Sequence, residues 1–185
     1  MTNLRKLTLV AVLSAVSFLL MLYQFSIGIE FFKLDFSILP ILLALVLFDL
    51  KSATAVLLIR SVLKLALNGQ GVETLIGLPI NIVAVLVFIA AFAMIWKKRS
   101  TVQSFILAGL VGTVLLTITM LLVNYFYAIP LYATFANTDI EKMVGIFNYL
   151  VTLVIPFNLL EGVIWSATFW VVYTLLRPVL KQYEE

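Results

Sequence analysis

A few hydrogen-bonding side chains interrupt an otherwise apolar sequence. Three amides and one carboxylate lie inside apolar runs, at Asn81, Asn124, Asn158 and Glu161. In hydrocarbon each such group needs a partner or a wet cavity, so intramembrane polar residues mark functional sites by default. A carboxamide presents one acceptor and two donors without carrying a charge. The set therefore indicates recognition of a hydrogen-bonding ligand.

Helical spacing places these residues on common faces. Two stripes follow i, i+3, i+4 or i+7 spacing. One consists of Thr113, Thr117, Met120 and Asn124, and the other of Asn158, Glu161, Gly162 and Trp165. Gly77 and Asn81 share a face of a third helix. Amides or carboxylates on three helices at similar depth predict a pocket open to the outside. The alternative for each single Asn is an interhelical hydrogen bond, worth about 0.6 kcal/mol.

Two basic residues, Arg60 and Lys64, are four residues apart and stack on one helix face. One interpretation has them attracting an anion or pairing with Glu161 in the site. The other is a structural ion pair for Arg60, with Lys64 extending its ammonium to the outer interface.

The elements that must position these residues are transmembrane helices. Hydrophobic residues make up 64% of the 185 positions and charged residues only 11%, with a mean hydropathy of +1.18, far from the composition of soluble domains. A span needs about 20 apolar residues. We predict an all-α integral membrane protein, one domain over 1–185, with six transmembrane helices at about 4–26, 36–48, 52–67, 74–96, 102–127 and 147–176.

Missing residue types exclude several functions. The chain has neither Cys nor His, so thiolate chemistry, Fe–S clusters and the commonest metal ligand and general base are absent. We expect no metal, no cofactor and no enzymatic activity. The net charge of +3 is dispersed, which does not indicate nucleic acid binding.

Positive charges predict the orientation. With six spans, the termini share a side with the loops after helices 2 and 4. That side holds eight cations, namely Arg5, Lys6, Lys51, Lys97, Lys98, Arg99, Arg177 and Lys181, whereas the opposite loops hold only Lys33 and Lys142. Cytoplasmic loops carry the excess of Lys and Arg. Both termini are therefore expected in the cytoplasm, with the chain in a prokaryotic cell membrane, surrounded by lipid.

Ala11 and Ala15 on the first helix form a small-xxx-small pair. Small residues let helices approach closely, so this face is a candidate docking surface for another membrane protein.

Taken together, these features resemble the substrate-binding S components of energy-coupling factor (ECF) vitamin transporters, most closely the riboflavin-specific group. Four stretches carry the resemblance: DFSILP at 35–40, GLPINIV at 77–83, NYFYAIPLY at 124–132 and PFNLLEG at 156–162.

The resemblance implies riboflavin as a transported substrate, bound from outside among the first loop and helices 4 to 6. The predicted substrate-binding residues are Asn81, Asn124, Asn158, Glu161, Lys64, Gly77 and Leu78. It also implies a transmembrane coupling subunit and two cytoplasmic ATPases, docked through Ala11 and Ala15. This division agrees with the lack of a Gly-x-x-x-x-Gly-Lys-Ser/Thr loop.

Two alternatives stay open at this point. The substrate could be another vitamin, such as folate or pantothenate. The chain could also be a structural or assembly protein whose Asn residues only hold helices together.

Overall fold

The computed structural model describes residues 3–26 and 32–184, with side chains up to 178. Residues 28–31 of the predicted first loop and the Lys181 side chain lie outside this description. The elements are α1 (Asn3–Leu22), β1 (Phe25–Ser26), β2 (Lys33–Leu34), α2 (Ile38–Leu47), α3 (Leu50–Asn68), α4 (Val72–Ile95), α5 (Val102–Val123), a π turn (Asn124–Ala128), α6 (Ile129–Phe135), α7 (Ile140–Met143), α8 (Ile146–Tyr149), a second π turn (Leu150–Val154) and α9 (Ile155–Glu184).

The predicted helical membrane fold is confirmed in its coarse form. Among the described residues, four helical stretches are long and apolar enough to cross a membrane: Asn3–Leu22, Val72–Ile95, Val102–Phe135 and Ile146–Pro178. The 10 residues of α2 extend about 15 Å, half of a hydrocarbon core. α3 has 19 residues but carries Lys51, Arg60 and Lys64.

The predicted end of helix 5, near residue 127, lies elsewhere in the structure, beside a proline that follows a π turn. Pro130 and Pro156 each follow a π turn. A proline ring clashes with the carbonyl four residues earlier, and that residue is Phe126 or Thr152, inside the preceding π turn. The wider turn relieves the clash and lets the helix continue. The segment from 129 to 135, predicted as loop, is therefore helical.

The last helix also continues beyond its predicted end. α9 runs through Pro178 to Glu184, whereas the sequence prediction ended it near residue 176.

A two-stranded ribbon and a hydrogen-bonded segment connect α1 to α2. β1 and β2 pair antiparallel, with Phe25 opposite Leu34 and Ser26 opposite Lys33. In the segment that follows, the Asp35 carboxylate accepts a hydrogen bond from the Ser37 N–H at 2.8 Å. The Trp165 indole donates to the Asp35 carbonyl at 3.1 Å. The start of α2 is thereby attached to α9.

Close helix packing defines the centre of the bundle. A Cβ on Gly162 would lie 2.4 Å from the Thr113 hydroxyl, so α9 and α5 can touch here only because residue 162 has no side chain. Close to this contact in sequence, the Trp165 ring packs edge to face against Phe88, with 5.3 Å between the ring centroids. Such contacts between aromatic rings form an apolar core in this part of the bundle.

The start of α1 and two predicted loops lie at one end of the bundle. The Lys6 ammonium is 2.8 Å from the Asp49 carboxylate and 5.5 Å from the centre of the Phe48 ring. The Lys97 ammonium donates to the Leu45 carbonyl at 2.5 Å and to the Phe48 carbonyl, which satisfies the free carbonyls at the end of α2. The start of α1 and the loops after α2 and α4 therefore meet, as the charge pattern predicts.

The alanine pair lies on the outside of the bundle. Ala11 and Ala15 are both exposed, while α1 packs inward through Val10, Ser14, Ser17 and Met21. The pair is thus free of internal packing and available to a partner.

Candidate functional site

A cavity of about 390 Å³ lies at the end of the bundle opposite the Lys6–Asp49 pair. Its size falls in the range of small-molecule sites, about 300–1,000 Å³. All seven residues predicted to bind substrate line it, and they are Lys64, Gly77, Leu78, Asn81, Asn124, Asn158 and Glu161. The structure therefore brings together, from α3, α4, the first π turn and α9, side chains that are up to 97 positions apart in sequence (161 − 64).

Asn124 is the first residue of the π turn that follows α5. Its Nδ2 donates to the Met120 carbonyl at 2.8 Å, and its Oδ1 accepts from the Tyr149 hydroxyl at 2.9 Å. Because a carbonyl can only accept, the orientation of this amide is fixed. One Nδ2 hydrogen remains for a ligand, so Asn124 acts as a donor in the cavity.

Asn158 differs from Asn124 in that its amide oxygen is free of partners among the described residues. Its side chain is buried, and its Nδ2 donates to the Val154 carbonyl at 2.7 Å. The carbonyl partner again fixes the amide orientation. No described residue donates to the Oδ1, which leaves an acceptor in the cavity wall.

Asn81 presents donors. The Arg60 Nη2 donates to the Asn81 Oδ1 at 2.8 Å, and a guanidinium carries no acceptor. The amide oxygen must therefore face Arg60. The Nδ2 group, which has no acceptor among the described residues, is left for the cavity that Asn81 lines.

Five charged residues also line the cavity: Lys33, Asp35, Lys64, Glu73 and Glu161. Glu161 is only 6% exposed and makes no hydrogen bond to a described residue. Its carboxyl group is thus available to ligand hydroxyls. The Lys64 ammonium donates to the Asn68 side chain at 2.5 Å.

The predicted ion pair of Arg60 with Glu161 is not formed in the described part of the chain, where the salt bridges are Lys6–Asp49 and Lys142–Asp139. Arg60 is fully buried and donates instead to Asn81 and to the Ser37 hydroxyl. Neutral acceptors bind its two terminal nitrogens because both Ser37 and Asn81 pack directly against α3, while its Nε has no partner among the described residues. Lys64 is also buried, at 8% exposure, rather than extended to the surface.

Aromatic rings form one wall of the cavity. Phe32 packs on Phe157 at 4.7 Å between centroids and on Tyr149 at 6.0 Å, and all three line the cavity. A flat aromatic ligand gains about 0.5–1.5 kcal/mol per well-placed ring contact beyond simple burial.

The sequence analysis missed several lining residues. The cavity is also lined by Tyr132, Tyr149, Phe32 and Phe157, none of which is among the predicted binding residues. Tyr149 could have been inferred only from its hydrogen bond to Asn124, which joins positions 25 apart. No periodic pattern within one helix reveals such a pair.

Among the described residues, no group of three or more Asp or Glu side chains could hold a metal ion. The arrangement of two donor amides, one acceptor amide and aromatic rings suits reversible binding of a planar ligand with a hydrogen-bonding edge.

Comparisons with known proteins agree on one family. Residues 5–173 match the family model described as "ECF transporter, substrate-specific component". A protein named riboflavin transporter RibU from Streptococcus thermophilus is 52% identical, over 97% of this chain and 86% of the relative. RibU of Leuconostoc mesenteroides is 40% identical, over 98% and 96%. A solved S component of a bacterial ECF transporter superposes with a TM-score of 0.81 at 28% identity, covering 97% of this chain and 99% of that chain.

Proposed function

This chain belongs to the substrate-specific components of ECF transporters, and we propose that its cavity binds riboflavin for uptake into the cell. Relatives that are 52% and 40% identical over nearly the whole chain are named riboflavin transporters. The protein is therefore a transport subunit and not an enzyme. Riboflavin is its substrate rather than a cofactor.

The observation that carries the proposal is the polarity of the three amides. The pyrimidine edge of the flavin ring alternates carbonyl acceptors with one N–H donor. Asn81 and Asn124 offer donors, and Asn158 offers an acceptor, each fixed by its protein partner. This set complements the edge without any charge. The aromatic wall around Phe32 suits the three fused rings of riboflavin, and the charged residues that line the cavity suit its hydroxylated tail.

The membrane arrangement follows from charge. We propose six membrane crossings with both termini in the cytoplasm of a prokaryotic cell. Supporting this orientation, Lys6 and Lys97 lie at one end of the bundle, and cytoplasmic ends are enriched in such cations. The cavity at the other end would then open to the outside, as capture of an external vitamin requires.

Energy for transport must come from other subunits of the ECF module. The chain has no phosphate-binding Gly-x-x-x-x-Gly-Lys-Ser/Thr loop. We propose that a transmembrane coupling subunit and two ATPases supply it, and that the exposed Ala11–Ala15 face docks on the coupling subunit. Small side chains at this face allow close backbone approach.

Reconstitution tests the proposal. The chain alone in liposomes is expected to bind labelled riboflavin without concentrating it, and to accumulate it only when the coupling subunit, the ATPases and ATP are added. A large excess of unlabelled folate or pantothenate should not displace the label. Net accumulation by the chain alone, or displacement by either of these vitamins, would contradict the proposed function.

A further inference from the structure

Arg60 is a cation buried beneath the cavity. Its side chain has 0% exposure, and it lies on α3 between two partners, the Ser37 hydroxyl and the Asn81 amide oxygen. Arg60 is not among the residues that line the cavity, whereas Asn81 is. A buried guanidinium costs several kcal/mol to desolvate. A simple space-filling role would be served better by an apolar side chain.

The guanidinium decides which end of the Asn81 amide faces the ligand. An isolated amide can rotate by 180° about its last bond and offer either oxygen or nitrogen. Arg60 carries donors only, so rotation would bring two donors together at 2.8 Å and leave the buried guanidinium without this acceptor. A buried donor left without an acceptor carries its full desolvation cost without compensation. The amide is therefore locked with its nitrogen toward the cavity.

We propose that Arg60 is a positioning residue that makes Asn81 a donor-only group, so that the α4 wall selects a ligand acceptor at this point. The inference rests on the proposed binding of riboflavin. The matching ligand group is a carbonyl or ring nitrogen of the flavin edge. Arg60 itself does not touch the ligand.

The second partner of Arg60 suggests a competing explanation. Ser37 belongs to the segment in which Asp35, a lining residue, accepts from Ser37 and from Trp165. Arg60 could in principle shape the cavity through this segment instead of through Asn81. The two routes use different atoms, and single substitutions separate them.

The experiment measures riboflavin affinity of purified variants by quenching of flavin fluorescence, together with their melting temperatures without ligand. Asn81→Asp keeps an oxygen for Arg60 but removes both N–H donors. We expect it to fold like the wild type and to bind at least tenfold more weakly. Ser37→Ala removes the other partner of Arg60 and leaves the Asn81 bond in place. We expect its affinity to stay within threefold of the wild type.

Arg60→Met tests the coupling directly. It should weaken binding at least tenfold, and the same change in an Asn81→Ala background should add less than threefold, since no amide remains to be oriented. If Arg60→Met does not yield folded protein, the Asn81→Asp and Ser37→Ala pair still decides the matter.

Three results would overturn the inference. They are an Asn81→Asp affinity within threefold of the wild type, a tenfold loss of affinity in Ser37→Ala, or a loss of affinity in the variant with Arg60→Met and Asn81→Ala that equals the product of the two single losses. A wild type that binds no riboflavin would overturn the proposed function itself and this inference with it. Normal wild-type binding with any of the three results overturns only the role of Arg60.

Discussion

Replacing Asn158 by Ala removes a cavity-lining amide oxygen to which no described residue donates. The residue is 3% exposed, so water cannot easily take the place of the lost oxygen once a ligand is bound. An N–H of the ligand is then left unpaired, which costs about 1–3 kcal/mol. At 1.4 kcal/mol per factor of ten, this corresponds to a loss in affinity of about 5- to 150-fold.

A matched control exists on the same helix. Asn158 Nδ2 bonds the Val154 carbonyl at 2.7 Å, and Ser166 Oγ bonds the Gly162 carbonyl at 2.8 Å. Both are side-chain bonds to the carbonyl four residues earlier, but Ser166 does not line the cavity. Ser166→Ala should therefore reproduce any general effect on α9 and leave the affinity within twofold.

Riboflavin titration by isothermal calorimetry of wild type, Asn158→Ala and Ser166→Ala provides the comparison, with melting temperatures measured on the same preparations. An Asn158→Ala affinity within twofold of the wild type would refute the role given to this oxygen. Equal losses in both variants would attribute the effect to helix α9 rather than to the site.

Three further predictions address the second amide, the proposed docking face and the Lys6–Asp49 end of the bundle. Asn124→Ala should weaken riboflavin binding at least tenfold. Tyr149→Phe should weaken it by about threefold, since it removes only the hydroxyl that donates to the Asn124 oxygen at 2.9 Å. Riboflavin titration measures both. Ala11→Trp with Ala15→Trp should abolish uptake and co-purification of the coupling subunit while affinity stays within threefold, because indoles prevent close helix approach. Asp49→Ala should lower the free energy of unfolding by about 1 kcal/mol, since it removes the N-cap of α3.

Controls accompany the last two predictions. Val12 and Val16 are exposed at the same spacing on a neighbouring face of α1, so tryptophans there should leave coupling intact. Normal riboflavin uptake by the variant with Ala11→Trp and Ala15→Trp would exclude the docking face. At the Lys6–Asp49 end, Lys6→Ala should destabilise the protein less than Asp49→Ala, because the Ser52 N–H remains bonded to the Asp49 carboxylate at 2.7 Å and exposed ion pairs contribute little.

The effect of Asp49 depends on pH with a definite sign. Hydrogen bonds from the Lys6 ammonium and from the Ser52 backbone lower the pKa of Asp49 well below its usual value. Its contribution is therefore fully present above the unfolded-state pKa of about 3.9 and is lost as the pH falls toward the folded-state value. The difference in unfolding free energy between wild type and Asp49→Ala should shrink between pH 6 and pH 3, and a constant difference would contradict this explanation.

Sequence patterns predicted the cavity better than the path of the chain around it. Asn81, Asn124, Asn158 and Glu161 were identifiable because polar groups are rare in hydrocarbon and helical period places them on inward faces. The stripe containing Asn124 is buried as predicted. By contrast, Pro130 appeared to begin a loop, and only the preceding π turn allows the helix to continue.

Partners distant in sequence were the harder part to predict. Which acceptors satisfy Arg60 depends on how α2 and α4 pack on α3, and nothing in the local pattern around residue 60 specifies Ser37 or Asn81. The same applies to Tyr149, whose hydroxyl bonds Asn124 across 25 positions of sequence. Local periodicity predicts which face is inward, but not which side chains meet there.

The central claim is that this cavity binds riboflavin, and titrating riboflavin into purified protein tests it most directly. Scavenging a trace vitamin needs a dissociation constant on the order of nanomolar, equivalent to about −12 kcal/mol. We predict one site per chain at nanomolar affinity, with flavin fluorescence quenched as the ring packs against Phe32 and Phe157. Unchanged fluorescence and no heat of binding at micromolar riboflavin, with the protein shown to be folded, would contradict the proposed function.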